Sequence, residues 1–191
     1  SWKIITPMTI FVGITGGIAT GKSTIVKFLQ KNGYKVHDSD LIVNKIYSQP
    51  NNQLFASLKK IGLSKSIKNK KIDKRVIRDE IFSDTVKKKK LEKFIHKEVR
   101  KSRNLFIKKH NNKKNKIIFF DIPLLFEAKL THICDYIILL YAPKKIKIKR
   151  ALKRKNINKK DIVRILKSQI GDKIKKKKSD YIINTSKQKK H

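Results

Sequence analysis

The chain has 191 residues, with 50 Lys and Arg against 14 Asp and Glu and a formal charge of +36. That length favours one domain with room for an insertion or a lid, and 39% hydrophobic residues argue for a modest core over wholesale disorder. No run of about 18 apolar residues offers a spanning helix, the N-terminus lacks the sectors of a secretory signal, and a single cysteine excludes an internal disulfide.

The elements follow in chain order. Met8 is the only methionine, so Ser1–Pro7 reads as an upstream extension. Thr9–Thr15 (TIFVGIT) is a short β-branched run ended by glycines, a buried strand. Lys22–Lys31 follows as a helix with Ile25, Val26, Phe28 and Leu29 on one face, stopped at Asn32-Gly33. Tyr34–Asp38 is a second strand, and Leu41–Tyr47 opens another helix. From about 53 to 110 the pattern is helical and highly charged, interrupted near Gly62–Lys71. Within it Val86–Lys109 is one amphipathic helix or two, with the Lys87–Lys90 run on a solvated face. Asn111–Lys116 is a loop. Lys116–Asp121 and Tyr136–Tyr141 are continuously apolar strands, covered on both faces. Lys144–Lys175 is helical and basic, broken around Asn156–Asn158, and Tyr181–Ile183 is a last short strand. Strands alternating with helices imply a parallel sheet with helices on both faces.

Lys (43), Ile (30) and Asn (12) make up 85 residues, while Arg, the better phosphate fork, appears only seven times. Residues 1–50 carry +4 and the remainder +32. This spread looks like compositional drift, since an electrostatic footprint for nucleic acid should cluster. The charge should still attract polyanions nonspecifically at low salt.

The motif that carries chemistry is Gly16-Gly17-Ile18-Ala19-Thr20-Gly21-Lys22-Ser23, which matches G-x-x-x-x-G-K-[ST]. Gly16 and Gly21 let the chain curl so that backbone N–H groups point at phosphate oxygens, and the following helix adds its positive end. Lys22 would reach the β- and γ-phosphates, and Ser23 would ligate Mg²⁺. Chance alone would give the bare string in about 0.6% of chains of this composition. A strand before it and a helix after it lower that further.

Three further groups carry weaker signals. Asp38-Ser39-Asp40 lies at the end of the second strand, where ligands of open parallel sheets sit. One acid could serve the metal or an acceptor hydroxyl, while one of the two could equally cap the next helix. Asp121 ends the third strand, where an acid can support the metal. The alternative is a strand end before a proline-started helix, with Ile122–Phe126 packing on core or substrate. In Lys144–Arg164, Arg150 and Arg154 lie four apart on one helix face and could fold over phosphates; the lysines there read as solvated. Cys134, before a strand, reads as an inert core thiol.

GITGGIATGKST, VHDSDLI, DIPLLFE, KIKRALKR, RILKSQ and YIIN, in that order over about Thr9–Asn184, resemble the dephospho-CoA kinase family. The resemblance implies a P-loop kinase-like three-layer α/β sandwich of about five parallel strands. The whole chain would be one domain with a helical acceptor-binding insertion at about 50–110 and a lid at about 144–175. It implies transfer of the ATP γ-phosphoryl group to the ribose 3′-hydroxyl of dephospho-CoA, with Mg²⁺. By that pattern Gly17, Ile18, Ala19, Thr20, Gly21, Lys22, Ser23 and Thr24 would bind ATP. Lys22, Asp40 and Arg150 would be catalytic, Asp40 as the base and Arg150 as a clamp. Asp38, Arg78, His96 and Leu124 would serve the acceptor, and Ser23, with Asp121, the metal. The partners expected are ATP and dephospho-CoA, with no specific nucleic acid and no membrane, in the cytoplasm. Departures from the family pattern are Lys147 in place of Gln, Lys97 in place of Pro, and lysines at 173–178 in place of Arg.

Two readings compete. One is another small P-loop kinase acting on a nucleotide or a shikimate-like hydroxyl. The other is a basic nucleic-acid-binding module that uses the loop as a phosphate grip.

Overall fold

A computed structural model describes residues 9–112, 115–153 and 158–186; Ser1–Met8 and Arg154 lie outside them. In chain order the elements are β1 (Ile10–Thr15), α1 (Lys22–Lys31), β2 (Lys35–Asp38), α2 (Ser39–Ser48), α3 (Asn52–Ile61), β3 (Ile67–Lys68) and β4 (Lys71–Ile72). They continue with α4 (Lys74–Ser83), α5 (Thr85–His110), β5 (Ile117–Asp121), β6 (Tyr136–Tyr141), α6 (Lys144–Leu152), α7 (Lys159–Ser168), α8 (Asp172–Lys177) and β7 (Tyr181–Asn184). The chain divides into two compact units, residues 1–38 with 109–191, and residues 39–108.

The first unit is built on a five-stranded sheet of order β2-β5-β1-β6-β7, with every pair parallel. β1 is central, between β5 and β6, so its C-terminal end is where the strand order reverses, the position at which such sheets bind ligands. Val12, Ile14, Val26, Val36, Phe119 and Leu140 form one buried cluster that fastens α1 onto β1, β2 and β5. Fully burying each such side chain contributes roughly 1.5–3 kcal/mol. α1 stops where Asn32 Nδ2 donates to the Phe28 carbonyl at 2.8 Å and Gly33 takes φ +83°. Cys134 is half-buried against Gly13 of β1.

The second unit is helical around Leu54, Leu58, Leu63, Ile77, Leu91 and Ile95. Its helix starts are capped by side chains. Asn51 accepts from Leu54 N–H at 2.9 Å, Asp73 from Arg75 and Val76, and Asp84 from Val86 and Lys87.

Four sequence expectations are corrected. The interruption near Gly62–Lys71 contains a β3–β4 hairpin turning at Asn69-Lys70, both left-handed (φ +48° and +58°); without the usual Asn-Gly pair it carries no strong turn signal. No helix follows Pro123. Residues 123–129 are turns closed by Ala128 N–H to the Leu124 carbonyl and Leu130 N–H to the Leu125 carbonyl. Helix α2 begins at Ser39, two residues before the expected Leu41, so Asp40 lies within its first turn. Lys87 is half-buried and pairs with Glu80 at 2.8 Å, so the Lys87–Lys90 face is not wholly solvated.

Candidate active site

β1 ends in a buried Thr15 whose hydroxyl donates to the Pro123 carbonyl at 3.0 Å, and the glycine-rich loop starts there. A β-carbon on Gly16 would lie 2.7 Å from the Leu140 carbonyl oxygen, so only glycine lets the loop leave the sheet this close to β6. Gly21 turns the chain into α1 with φ +82°, a conformation that costs glycine little.

Between them Ala19 holds φ +58° while 5% exposed. A non-glycine residue there stores strain on the order of 1 kcal/mol and persists only when its surroundings over-determine it. Two features do so. Ala19 packs with Ala151 and Ile162 of α6 and α7, joined by Ile18, Ile148 and Leu166, and the Thr20 hydroxyl donates to the Gly17 carbonyl at 2.9 Å. Ser23 and Thr24 are exposed in the first turn of α1, where helix N–H groups lack intrahelical acceptors and the dipole favours an anion.

Lys22 Nζ lies 2.5 Å from Asp121 Oδ1 at the end of β5. Asp121 is 3% exposed and the pair is nearly dry, so each charge depends on the other. Asp38 ends β2 in register with Asp121. The loop, Lys22, Asp121 and Asp38 therefore meet at one edge of the sheet.

Arg150, half-buried on α6, directs both terminal nitrogens at Thr185, Nη1 to the hydroxyl at 3.2 Å and Nη2 to the carbonyl at 2.5 Å. The Thr185 hydroxyl in turn donates to the Thr20 carbonyl at 2.7 Å. Gln169, at the end of α7, places Oε1 within 2.8 Å of where a β-carbon on Gly17 would stand.

The turn after Gln169 is anchored by Glu127, whose Oε1 accepts from Ile170 N–H at 3.0 Å and from the Lys175 ammonium at 2.8 Å. Burial alone would raise the Glu127 carboxyl. The Lys175 hydrogen bond, with backbone donors, outweighs it and holds that carboxyl below its ordinary range. Lys147 is likewise buried, paired with Asp172 of α8 at 2.7 Å. The expectation that the lysines of Lys144–Arg164 are solvated fails at Lys147, which finds a carboxylate inside the fold as Lys175 does beyond that stretch.

The remaining predicted residues are distributed differently. Leu124 sits in the turn after β5 and is 45% exposed, while its neighbours Ile122, Leu125 and Phe126 are core. Asp40, Arg78 and His96 belong to the second unit, on α2, α4 and α5, and all three side chains are exposed. Sequence reasoning missed Thr185, Glu127, Gln169 and Lys175. Glu127 and Gln169 close the quoted stretches DIPLLFE and RILKSQ without a role being given them there, and the polar pair Thr185-Ser186 directly after an apolar strand was the local signal for Thr185.

The donors on hand suit a hard cation. Ser23 supplies an exposed hydroxyl and Asp38 and Asp121 supply carboxylates. Among the described residues no cluster of three His, Cys, Asp or Glu makes an all-protein cage. That sparse oxygen set fits Mg²⁺, which is held by one or two protein groups plus substrate phosphates. No helix among the described residues is long and apolar enough to cross a membrane.

Comparison with known proteins points to one family. The dephospho-CoA kinase family model matches residues 10–191. A dephospho-CoA kinase of Fusobacterium nucleatum is 33% identical, covering 93% of this chain and 90% of that protein. One of Bacillus licheniformis is 32% identical, covering 94% and 89%. The solved dephospho-CoA kinase from Campylobacter jejuni is 31% identical with a TM-score of 0.68, covering 95% of this chain and 90% of that one. A Thermus thermophilus structure, TT1252, shares the fold with a TM-score of 0.80 at 24% identity over 94% of this chain and 90% of its own.

Proposed function

This chain belongs to the dephospho-CoA kinase family, and we propose that it carries out the family reaction with the residues assigned here. Its activity is phosphorylation of the ribose 3′-hydroxyl of dephospho-CoA by ATP, the last step of coenzyme A synthesis. The observation that carries the assignment is the phosphate loop, curled at the C-terminal end of the central strand with Lys22 set on Asp121.

In the proposed reaction the loop amides and the start of α1 hold the nucleotide phosphates. Asp121 keeps Lys22 extended toward them until the phosphates take over as its partner. Asp40 accepts the proton of the 3′-hydroxyl as that oxygen bonds the γ-phosphorus and the bridging bond to ADP breaks. Its exposure, in the first turn of α2, suits a base that must meet a solvent-borne substrate. Arg150 neutralises charge on the transferring group. Ser23, with Asp38 or Asp121 nearby, would hold Mg²⁺, which when bound neutralises phosphate charge. Arg78, His96 and Leu124 would each contact dephospho-CoA. Residues 39–108 act as the acceptor unit, and α6–α8 as the lid. The compartment is the reducing cytoplasm.

The test is acceptor-dependent ADP release. Dephospho-CoA should support turnover, whereas shikimate and nucleoside monophosphates should not. Equal turnover with any of those would overturn the substrate assignment.

A further inference from the structure

We propose that Thr185 is a positioning residue of this site, whose hydroxyl couples the phosphate loop to the lid arginine so that nucleotide grip and the placement of Arg150 are set together. This rests on reading the loop as the ATP cradle and Arg150 as the phosphate clamp.

Thr185 extends the β7–β6 ladder, its N–H donating to the Tyr141 carbonyl at 2.8 Å, so its backbone is fixed by the sheet. A hydroxyl has one proton to give. At 2.7 Å the Thr20 carbonyl is the stronger acceptor, and the Tyr141 carbonyl at 3.2 Å the weaker. The lone pairs remain available to Arg150 Nη1 at 3.2 Å, while the Thr185 carbonyl takes Nη2 at 2.5 Å. One residue thus answers both prongs of the guanidinium, and the guanidinium keeps further donors for phosphate oxygens.

The bond to Thr20 matters because of peptide geometry. In a planar trans peptide the C=O and the next N–H point in opposite directions. Drawing the Thr20 carbonyl toward Thr185 therefore turns the Gly21 N–H away from Thr185. An anion cradle needs its amides aimed before the anion arrives. The same peptide lies between left-handed Ala19 and left-handed Gly21, where the backbone has least intrinsic reason to hold still. The Thr185 hydroxyl reaches that carbonyl from outside the loop, and the same oxygen receives the lid arginine. Losing it would loosen both at once.

The experiment compares wild type with Thr185→Val, which keeps the shape and removes the hydroxyl, and Thr185→Ser, which restores it. It reads kcat, the KM for each substrate, the calorimetric Kd for ADP and the thermal midpoint. Thr185→Val should lower kcat by about tenfold or more and weaken ADP binding several-fold, with an unchanged KM for dephospho-CoA. Thr185→Ser should recover most of both. In an Arg150→Ala background the kcat effect of Thr185→Val should shrink to about twofold, since coupled residues are not additive. Wild-type kcat and Kd in Thr185→Val, or the full loss in both backgrounds, would overturn the proposal. Should Thr185→Val not fold, Thr185→Ala carries the same comparison; if neither folds, the hydroxyl is structural and the positioning role is wrong. A wild-type enzyme without dephospho-CoA-dependent turnover would sink the acceptor reading instead, and ADP affinity across the same variants still decides the role of Thr185.

Discussion

The two units differ in how they hold the residues that matter. In the sheet unit, Lys22, Asp121, Arg150 and Thr185 are buried or half-buried and held in two pairs, Lys22 with Asp121 and Arg150 with Thr185. In the helical unit, Asp40, Arg78 and His96 stand exposed on three separate helices. On the proposed reading, the nucleotide side is thus assembled before substrate arrives, with its directions fixed by short hydrogen bonds, and the acceptor side offers groups that a substrate must gather. Mutations should therefore cost stability and activity together in the first unit, and activity alone in the second.

Lys22→Ala should have the largest effect. It removes a phosphate ligand, lowering kcat by about 10²–10³-fold. It also removes one ion-pair partner of a nearly buried carboxylate, which costs up to about 3 kcal/mol and should appear as a lower thermal midpoint. If Lys22→Ala kept the wild-type midpoint, the pair would not be the constraint described. Asp40→Asn comes next, with about 10²-fold lower kcat and no change in midpoint, because its side chain is exposed in the first turn of α2. Near-normal kcat would remove Asp40 from the role of base. Arg78→Ala should follow, raising the KM for dephospho-CoA by about tenfold while ADP affinity stays at the wild-type value. A parallel loss of ADP affinity would erase the division between units.

The same division explains what could be read from residues alone. The phosphate loop was legible because its spacing is local, and the alternation of strand and helix placed it at a strand's end. β1, α1, β5 and β6 lay close to their expected bounds for the same reason, since apolar runs and glycine stops act over a few residues. The Glu127–Lys175 and Arg150–Thr185 contacts were not legible, because partners so far apart in sequence leave no periodic mark. Composition hid them as well. With 43 lysines in the chain, nothing local tells the buried Lys147 and Lys175 from their solvated neighbours; only a carboxylate brought up by the fold does. The Asn69-Lys70 hairpin left no strong mark because neither of its two left-handed turn residues is glycine.

The smallest expected effect concerns Glu127 and Lys175, and it tests whether the lid side of the sheet unit is held by charge. Removing Glu127 alone would leave the buried Lys175 ammonium without this carboxylate, and removing Lys175 alone would leave the Glu127 carboxylate with only a backbone donor in its place. The informative variant is thus Glu127→Gln with Lys175→Met, where both charges vanish and net stability at neutral pH can stay near the wild-type value. The difference then lies in pH dependence. The Glu127 carboxyl is held below its ordinary range, chiefly by the Lys175 hydrogen bond working against burial. A carboxylate depressed in the folded state contributes stability that is complete above its unfolded pKa of about 4.3. That contribution fades as pH falls through the lower folded value. Wild type should accordingly lose stability relative to the double variant only below about pH 4.3, by an amount that moves the thermal midpoint about 3 °C. Parallel curves for the two proteins down to acid pH would mean that the ion pair adds nothing beyond packing, and that Ala19, Ala151 and Ile162 alone seat the lid helices on the loop.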